Sequence, residues 1–348
     1  MDSRPPVEST AYWTTGPETG ELLRGPLRPP EDGEAMVRSL YSGVSRGTEM
    51  LVYRGQVPPE VAGRMRAPFQ EGEFPFPVKY GYLSVGIVER GPADLLGRRV
   101  FCLHPHQDRY VVPVDALTVI PDDVPSKRAV LAGPVETALN AVWDAPPCMG
   151  DRIAVIGGGM IGASLLAVLR RFPLSALQLV DPDPAKRELA RSMGIEAVEP
   201  DAAMDGCDIV YHASTTDAGL AQGLRQLGDE GELVELSWFG SHVPSVPLGG
   251  DFHARRLRIT ASQVSVIGTA RRHRHTHRSR MDLVMQALAD PAFDALISGE
   301  TDFAALPGAV ADLASGALPS LCRAIRYPET GTGDAERAPA SRRNREDD

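Results

Sequence analysis

Several features that mark whole classes of protein are missing from this sequence. The four cysteines are widely spaced and form no C-x-x-C pair, which argues against a disulfide framework and against a cysteine-based structural zinc site. No apolar run approaches the length of a transmembrane helix, and the N-terminal MDSRPPVEST lacks the apolar core of a signal peptide. We therefore expect a cytoplasmic protein that has no membrane partner.

An excess of positive charge is also missing. The formal net charge is −10, so the composition gives no sign of a nucleic-acid partner and leaves a small molecule as the expected ligand. With 348 residues, of which 43% are hydrophobic, the chain is long enough to form two domains with substantial cores.

The most informative stretch that is present runs from Asp151 to Asp181. An apolar run at 153–156 predicts a buried strand, GGGMIG at 157–162 fits G-x-G-x-x-G, and 163–171 continues with helical spacing. A second apolar strand at 177–180 ends in Asp181. A lone glycine motif is often an ordinary strand–turn–helix, but this order of elements is typical of a dinucleotide site.

Each part of that site has a physical role. Gly157 permits the tight turn, Gly159 lets the backbone approach a pyrophosphate, and Gly162 allows close packing of helix and strand. Met160 and Ile161 open the helix, whose free N–H groups and positive dipole end favour phosphate. Asp181 is placed to accept hydrogen bonds from a ribose diol. Because a carboxylate repels a 2′-phosphate, Asp181 predicts a preference for NAD(H) over NADP(H).

The sequence before and after this stretch differs in character. Residues 1–125 predict a mostly β domain with strands at 34–41, 85–88, 99–103 and 110–114, interrupted by a long connection at 51–80. A helix is predicted at 126–143, with Ser126 as its N-cap. Strands at 208–212, 233–236 and 257–262 then alternate with helices, as in a doubly wound parallel sheet.

Beyond Val264 the pattern changes again. The segment ARRHRHTHRSR precedes predicted helices at 281–289 and 305–313 and a strand at 321–327. Its alternating His273, His275 and His277 would suit a metal if the segment were extended, but the neighbouring arginines favour a solvated loop or one that attracts an anion. Residues 328–348 have almost no apolar side chains and are predicted to be disordered.

The phrase GDRIAVIGGGMIG, the downstream Asp181 and the order of the elements resemble the medium-chain dehydrogenase/reductase superfamily over about residues 20–327. The resemblance implies an α/β fold that joins a GroES-like β-rich catalytic domain to a Rossmann doubly wound parallel sheet. It implies that 1–125 forms the first part of the catalytic domain, 126–265 the Rossmann NAD-binding domain, and 266–327 a return to the catalytic domain. It also implies a homodimer.

The departures from that family concern its zinc ligands. In the phrase SGVSRGTE, Ser45 or Arg46 stands where zinc-dependent members have a cysteine, and in GYLSVG Tyr82 stands where they have a histidine. The third ligand position falls at about Gly133, and the four-cysteine lobe is missing. The resemblance therefore implies a zinc-free member with no metal, and SGVSRGTE followed by RGQVP is similar to the branch of bacteriochlorophyllide hydroxyethyl dehydrogenase-like proteins.

The same alignment implies which residues carry out the reaction. Thr48 occupies the position of the family's proton-relay hydroxyl, and the hydroxyls of Ser45 and Tyr82 are expected in the same cleft, although each could simply make a structural hydrogen bond. His104, at the end of a predicted strand, is a candidate acid or base. Its alternative, shared with His106, is a surface loop histidine. Glu49 is expected to orient its neighbours.

Further residues are implied for the cofactor. Arg46 is expected to reach the pyrophosphate, Thr137 the nicotinamide, and Ser214 a ribose. Ser237 lies at the carboxyl edge of the predicted sheet, where ligands bind.

The sequence as a whole predicts an NAD(H)-dependent, zinc-independent oxidoreductase that interconverts an alcohol and a carbonyl by hydride transfer. The alternatives are an NADPH-dependent quinone or enone reductase and a non-catalytic dinucleotide-binding protein. The substrate is not encoded in any motif.

Overall fold

A computed structural model describes residues 7–328, so all but the first residue of the predicted tail at 328–348 lies outside the described residues. The strands of the N-terminal part are β1 (Val7–Gly16), β2 (Thr19–Leu27), β3 (Glu34–Ser45), β4 (Glu71–Gly72), β5 (Val78–Lys79), β6 (Ser84–Arg90), β7 (Arg99–Cys102), β8 (Arg109–Pro113) and β9 (Thr118–Val119). Three helices belong to this part and the crossing that follows it: α1 (Thr48–Tyr53), α2 (Ser126–Ala129) and α3 (Ala132–Asp144).

The central part alternates strands and helices. Its elements are β10 (Arg152–Ile156), α4 (Met160–Leu169), β11 (Ala176–Val180), α5 (Pro184–Ser192), β12 (Glu196–Val198), β13 (Cys207–His212), α6 (Asp217–Gln226), β14 (Leu227–Glu235), α7 (Asp251–Ala254) and β15 (Arg258–Ala261). The C-terminal part adds α8 (His277–Ala287), β16 (Ile297–Asp302), α9 (Leu306–Ser315) and β17 (Cys322–Arg326). Short 3-10 turns lie at Pro59–Val61, Val114–Ala116, Pro200–Ala202, Pro291–Leu296 and Phe303–Ala305.

The central sheet is parallel and has the strand order β12-β11-β10-β13-β14-β15. This is the 3-2-1-4-5-6 order of a doubly wound Rossmann sheet, whose direction of winding reverses between its first and fourth strands. Here that switch lies between β10 and β13, where Ile156 pairs with His212. Ligands of such sheets bind beyond the carboxyl ends of the strands at the switch, so the glycine motif after β10 stands at the expected edge.

The remaining strands form two sheets. One has the order β2-β1-β5-β4, and the other follows β16-β17-β3-β6-β7-β9 with β8 also paired to β3. Strand β17 runs antiparallel to β3, with Cys322 opposite Ser45, so the C-terminal segment extends a sheet that is otherwise formed by N-terminal strands. The predicted fold class, a GroES-like β domain joined to a Rossmann sheet, is confirmed.

The local structure differs from the sequence prediction in three respects. The helix predicted at 126–143 is divided into α2 and α3, because Pro134 within one continuous helix would clash with the carbonyl four residues earlier. The break places Pro134 in the first turn of α3 instead. Ser126 is the first helical residue rather than the cap, since Pro125 occupies the N-cap position without a side-chain hydrogen bond. The strands β1, β2 and β16 and the short strands β4, β5, β9 and β12 were not predicted.

The two parts of the chain share a hydrophobic core around α3 and α4. Phe101 and Val85 from the β sheet pack in one cluster with Met160 of α4 and Met285 of α8. A buried ion pair reinforces this packing, since Arg280 donates to Glu136 at 2.8 and 3.0 Å. Within residues 7–328, the structure contains no helix with the length and apolarity needed to cross a membrane.

Candidate active site

The glycine loop after β10 has little room for side chains. Gly157 has φ +96°, and a Cβ there would lie 2.8 Å from the Cα of Ser214. A Cβ on Gly162 would lie 1.8 Å from the carbonyl oxygen of Gly157, so helix α4 can approach the strand only with glycine at this position. At Gly159 a Cβ would meet nothing within 4 Å, which leaves the backbone open on that side. Met160 and Ile161 form the first turn of α4, next to this opening. The loop therefore fits a dinucleotide pyrophosphate.

Asp181 lies at the carboxyl end of β11 and is almost fully buried. Its Oδ2 accepts a hydrogen bond from the Gly158 N–H at 2.7 Å, and its Oδ1 accepts one from Asp183 N–H at 2.8 Å. The carboxylate therefore fixes the glycine loop, at the place where the sequence predicts a ribose. Its Oδ1 keeps a lone pair for a further donor.

A cation stands beside this carboxylate. The ammonium of Lys186, in the first turn of α5, lies 3.4 Å from Asp181 Oδ2. Arg187 is turned away, since its guanidinium donates to the carbonyl oxygens of Asp181 and Pro182 and to Glu199. The predicted ribose end of the site thus presents a carboxylate and a lysine together, and their charges bear on the choice between NAD(H) and NADP(H).

The carboxyl ends of β13 and β14 bring four polar side chains together. His212 and Glu235 are direct cross-strand partners, and His212 Nδ1 lies 2.8 Å from a Glu235 oxygen. Its Nε2 lies 2.7 Å from Ser214 Oγ. Ser237 Oγ accepts a hydrogen bond from Thr215 N–H at 3.1 Å. The sequence predicted Ser214 and Ser237 but missed His212 and Glu235; the only signal was a polar residue at the end of each apolar strand.

Three hydroxyls predicted for the reaction are gathered beside α1. Burial raises the pKa of Tyr82 to about 12, and the negative charge of Glu49 contributes in the same direction. Hydrogen bonding with the Ser45 and Thr48 side chains acts in the opposite direction and lowers the pKa of Tyr82. The phenol consequently stays protonated throughout the neutral range and can donate a hydrogen bond or a proton.

Glu49 connects this group to a buried line of polar residues. Its Oε1 accepts from the Ser45 N–H at 2.7 Å, and its Oε2 lies 2.9 Å from His106 Nε2. His106 Nδ1 lies 2.7 Å from Ser42 Oγ, which in turn is 3.0 Å from the Tyr327 hydroxyl. Only 1% of His106 is exposed, so the surface-loop alternative is wrong for this residue. The line holds the Ser45–Thr48 turn in place, which agrees with the orienting role expected of Glu49.

His104 occupies a different environment. Its ring stacks on Tyr110 with the centroids 3.8 Å apart and an interplanar angle of 10°, and Phe69 covers it at 5.6 Å. Burial lowers the pKa of His104 to about 3. The residue is buried rather than on a surface loop, and it is neutral at physiological pH. This placement argues against the acid–base role that the sequence predicts for His104.

The positions of the family's zinc ligands do not suit a zinc ion. Ser45 and Tyr82 supply neutral hydroxyls, whereas zinc requires thiolate, imidazole or carboxylate donors. At Gly133 a Cβ would lie 2.4 Å from Leu83 Cδ2, so a buried leucine fills the space that a third ligand would need. Within residues 7–328, no group of three or more His, Cys, Asp or Glu side chains is arranged to hold a metal.

The other predicted residues are placed as follows. Arg46 is exposed at the turn before α1 and makes no ion pair with any residue in the described part of the chain. Thr137 lies in the second turn of α3, where its hydroxyl donates to the Gly133 carbonyl at 3.1 Å. The histidines of the Arg/His-rich segment are not extended, because 268–275 folds into a helical turn closed by hydrogen bonds from Arg271 and His275.

The long connection at 51–80 contributes an apolar wall beside Tyr82. The Tyr80 ring meets Tyr82 edge-on at 6.0 Å and lies 5.7 Å from Phe74. Trp238, which follows β14 in the Rossmann sheet, packs against the same cluster. The connection at 51–80 therefore packs against Tyr82, as expected of a segment that shapes a pocket.

The Glu49–His106 contact gives a prediction about stability. Replacing either residue by leucine removes one partner and leaves a buried polar group unpaired, so each variant should lose about 3 kcal/mol of unfolding free energy. The double variant should lose less than the sum of the two, because neither partner is then left alone. Urea denaturation measures all three. The exposed pair Glu8–Arg24 supplies the control, since Glu8→Leu should change stability little. Additive losses would show that the contact is not energetically coupled.

No family model matches the chain. An erythritol/L-threitol dehydrogenase of Mycolicibacterium smegmatis is 31% identical over 147 residues, which is 38% of this chain and 40% of that protein. The match thus spans about two fifths of the relative's length.

Solved structures match much more of the chain. A short chain alcohol dehydrogenase of Escherichia coli CFT073 complexed with NADH superposes with a TM-score of 0.73 at 16% identity, covering 92% of this chain and 99% of that one. A protein of Sinorhizobium meliloti 1021, described as a zinc-binding dehydrogenase and bound to NADP, gives 0.73 at 17% identity, covering 92% and 99%.

At this identity the structural likeness establishes the fold. The relatives' names, which are those of dehydrogenases, agree with the dehydrogenase superfamily that the sequence resembles. The zinc-free branch and the bacteriochlorophyllide-related subgroup stay predictions.

Proposed function

We propose that the protein is an NAD(H)-dependent oxidoreductase that interconverts an alcohol and a carbonyl without a catalytic zinc ion. One feature carries the proposal: the buried phenol of Tyr82, whose pKa is influenced by Ser45 and Thr48, occupies the position at which the family resemblance implies a zinc-binding histidine. The glycine loop at the switch point of the sheet supplies the dinucleotide site.

The bound dinucleotide would supply or accept the hydride, and the chain's own residues would handle the oxygen of the substrate. In the reducing direction, the Tyr82 hydroxyl donates a hydrogen bond to the carbonyl oxygen and then its proton to the developing alkoxide. Ser45 and Thr48 stabilise the resulting phenolate by hydrogen bonds and relay to it a proton taken up from solvent. Glu49 and His106 keep these hydroxyls in place through the Ser45 backbone.

Zinc independence can be measured directly. Turnover should be unchanged after dialysis against a strong chelator and after addition of Zn²⁺, because the donor set at Ser45, Tyr82 and Gly133 does not suit the metal. The metal content of the purified protein is measured as well. Turnover is measured on a panel of carbonyls with NADH or NADPH and of alcohols with NAD⁺ or NADP⁺. Loss of activity on chelation that Zn²⁺ restores would contradict this part of the proposal.

A second candidate, an NADPH-dependent quinone or enone reductase, is favoured by one observation. Lys186 stands 3.4 Å from Asp181 and carries the charge that a 2′-phosphate would require. The preference for NAD(H) is supported by the buried Asp181 carboxylate, which would repel that phosphate. A non-catalytic dinucleotide-binding protein would bind NADH but turn over no substrate of the panel.

The neighbours of Tyr82 suggest the kind of small molecule that is reduced. Tyr80, Phe74 and Trp238 form an apolar, largely aromatic wall beside the proposed proton donor. We propose a substrate whose carbonyl is attached to an apolar or aromatic group. We also propose a homodimer, which light scattering of the purified protein would detect.

A further inference from the structure

A second polar group lies at the dinucleotide edge of the sheet, away from the Tyr82 hydroxyl. It consists of Glu235, His212, Ser214 and Thr216, and we call it the His212 line. His212 is fully buried between β10 and β14, directly opposite Glu235, and no step of the proposed reaction uses it. A buried histidine bonded through both ring nitrogens fixes the direction of every hydrogen bond attached to it.

That direction can be worked out from the partners. Because His212 Nδ1 lies 2.8 and 2.9 Å from the two Glu235 carboxylate oxygens, Nδ1 carries the proton. In the neutral imidazole Nε2 is then an acceptor, and the Ser214 hydroxyl donates to it across 2.7 Å. At the far end, Thr216 Oγ1 accepts from Gly219 N–H at 3.1 Å and donates to Ser214 Oγ across 2.9 Å.

Every hydrogen bond in the His212 line therefore points toward Glu235. The hydroxyl hydrogen of Ser214 is used in the bond to His212. Its half-buried oxygen therefore presents a lone pair to the ligand site. The local backbone is built for this arrangement. A Cβ on Gly219 would lie 2.1 Å from Ser214 Oγ, and one on Gly157 would lie 2.8 Å from Ser214 Cα, so both neighbours approach Ser214 only as glycines.

We infer that Glu235 and His212 are positioning residues that make Ser214 a hydrogen-bond acceptor for a ribose hydroxyl of the dinucleotide. This inference rests on the proposed function and deepens it. A hydroxyl can satisfy the lone pair of Ser214, whereas a phosphate group offers only acceptors and would face it unfavourably. The ribose could belong to the adenosine or to the nicotinamide half, since both carry the same hydroxyls.

The test measures NADH binding by fluorescence titration, not turnover. Ser214→Ala removes the acceptor and His212→Leu frees the Ser214 hydrogen, so each should weaken binding about three- to tenfold. Their effects should not add in the double variant, because both break the same contact. In His212→Gln the side-chain amide can still donate to Glu235 and accept from Ser214, so this variant should keep most of the affinity.

Titrations with AMP and with nicotinamide mononucleotide show which ribose is bound, since Ser214→Ala should weaken only one of them. Ser192→Ala, an exposed serine at the end of α5, is the matched control and should bind NADH like the wild type. Melting temperatures identify any variant that fails to fold. If His212→Leu fails to fold, the inference is tested with Ser214→Ala and His212→Gln alone.

Two other outcomes are distinguishable. The inference would be overturned if Ser214→Ala bound NADH as tightly as the wild type. It would also be overturned if His212→Gln and His212→Leu weakened binding equally. Either result would leave the proposed function intact. A wild-type chain that binds no dinucleotide would remove the proposed function and this inference together.

Discussion

Replacing Tyr82 by phenylalanine should lower kcat for carbonyl reduction by about 10²–10³-fold while leaving the affinity for NADH unchanged. The variant keeps the ring that packs against Tyr80 and loses only the hydroxyl, so the apolar wall is preserved. Stopped-flow or steady-state assays with the best substrate of the panel measure the loss, and fluorescence titration measures NADH affinity. Tyr41→Phe, on β3, is the matched control because it removes a phenol hydroxyl outside the proposed site.

The raised pKa of Tyr82 makes the pH dependence of this reaction specific. Burial favours the neutral phenol, so the proton donor is present at all pH values below about 12. Reduction by the wild type should therefore show no loss from Tyr82 ionisation between pH 6 and about 10. In Tyr82→Phe, a kcat within threefold of the wild type would contradict the role of this hydroxyl.

His104 was also predicted to act as an acid or base. Its pKa is lowered, whereas that of Tyr82 is raised. Burial lowers the pKa to about 3, so the imidazole is neutral wherever the enzyme would operate and cannot donate as an acid. Its stacking on Tyr110 explains why a residue at the end of a strand became part of the core.

These residues show which parts of the molecule can be predicted from the sequence. The glycine loop and Asp181 were predictable because their geometry is set within one strand–turn–helix–strand unit, where short-range spacing fixes the contacts. The burial of a polar residue is much harder to predict when its hydrogen-bond partner is distant in the sequence. His106 meets Glu49 across 57 positions, and His212 meets Glu235 across 23. Their burial depends on how strands pair, which no local pattern encodes.

The same limit applies to cofactor preference. Asp181 was predicted to distinguish NAD(H) from NADP(H) on its charge alone. The structure places the lysine ammonium 3.4 Å from the carboxylate, because the first turn of α5 folds back over the glycine loop. The negative charge of Asp181 should favour NAD(H), and the positive charge of Lys186 should favour NADP(H). A single substitution at the predicted ribose position should therefore change the cofactor preference.

Replacing Asp181 by alanine should weaken NADH binding by about ten- to one-hundredfold and strengthen NADPH binding. The loss follows from removing a charged acceptor that also holds Gly158 N–H, and the gain follows from releasing Lys186 to meet a 2′-phosphate. Fluorescence titration with both cofactors gives the ratio of affinities. Asp181→Asn keeps the size of the side chain and one acceptor, so it separates the charge from the support of the loop.

Lys186 provides the sharper half of the test. In the double variant Asp181→Ala with Lys186→Ala, the gain in NADPH affinity should disappear, because no cation remains beside the phosphate. Asp201→Ala, an exposed acid of the same sheet region, should leave both affinities unchanged. A wild type that already prefers NADPH, together with an unchanged ratio in Asp181→Ala, would mean that Lys186 dominates Asp181 at the ribose. The NADPH-dependent reductase would then become the better account of the protein.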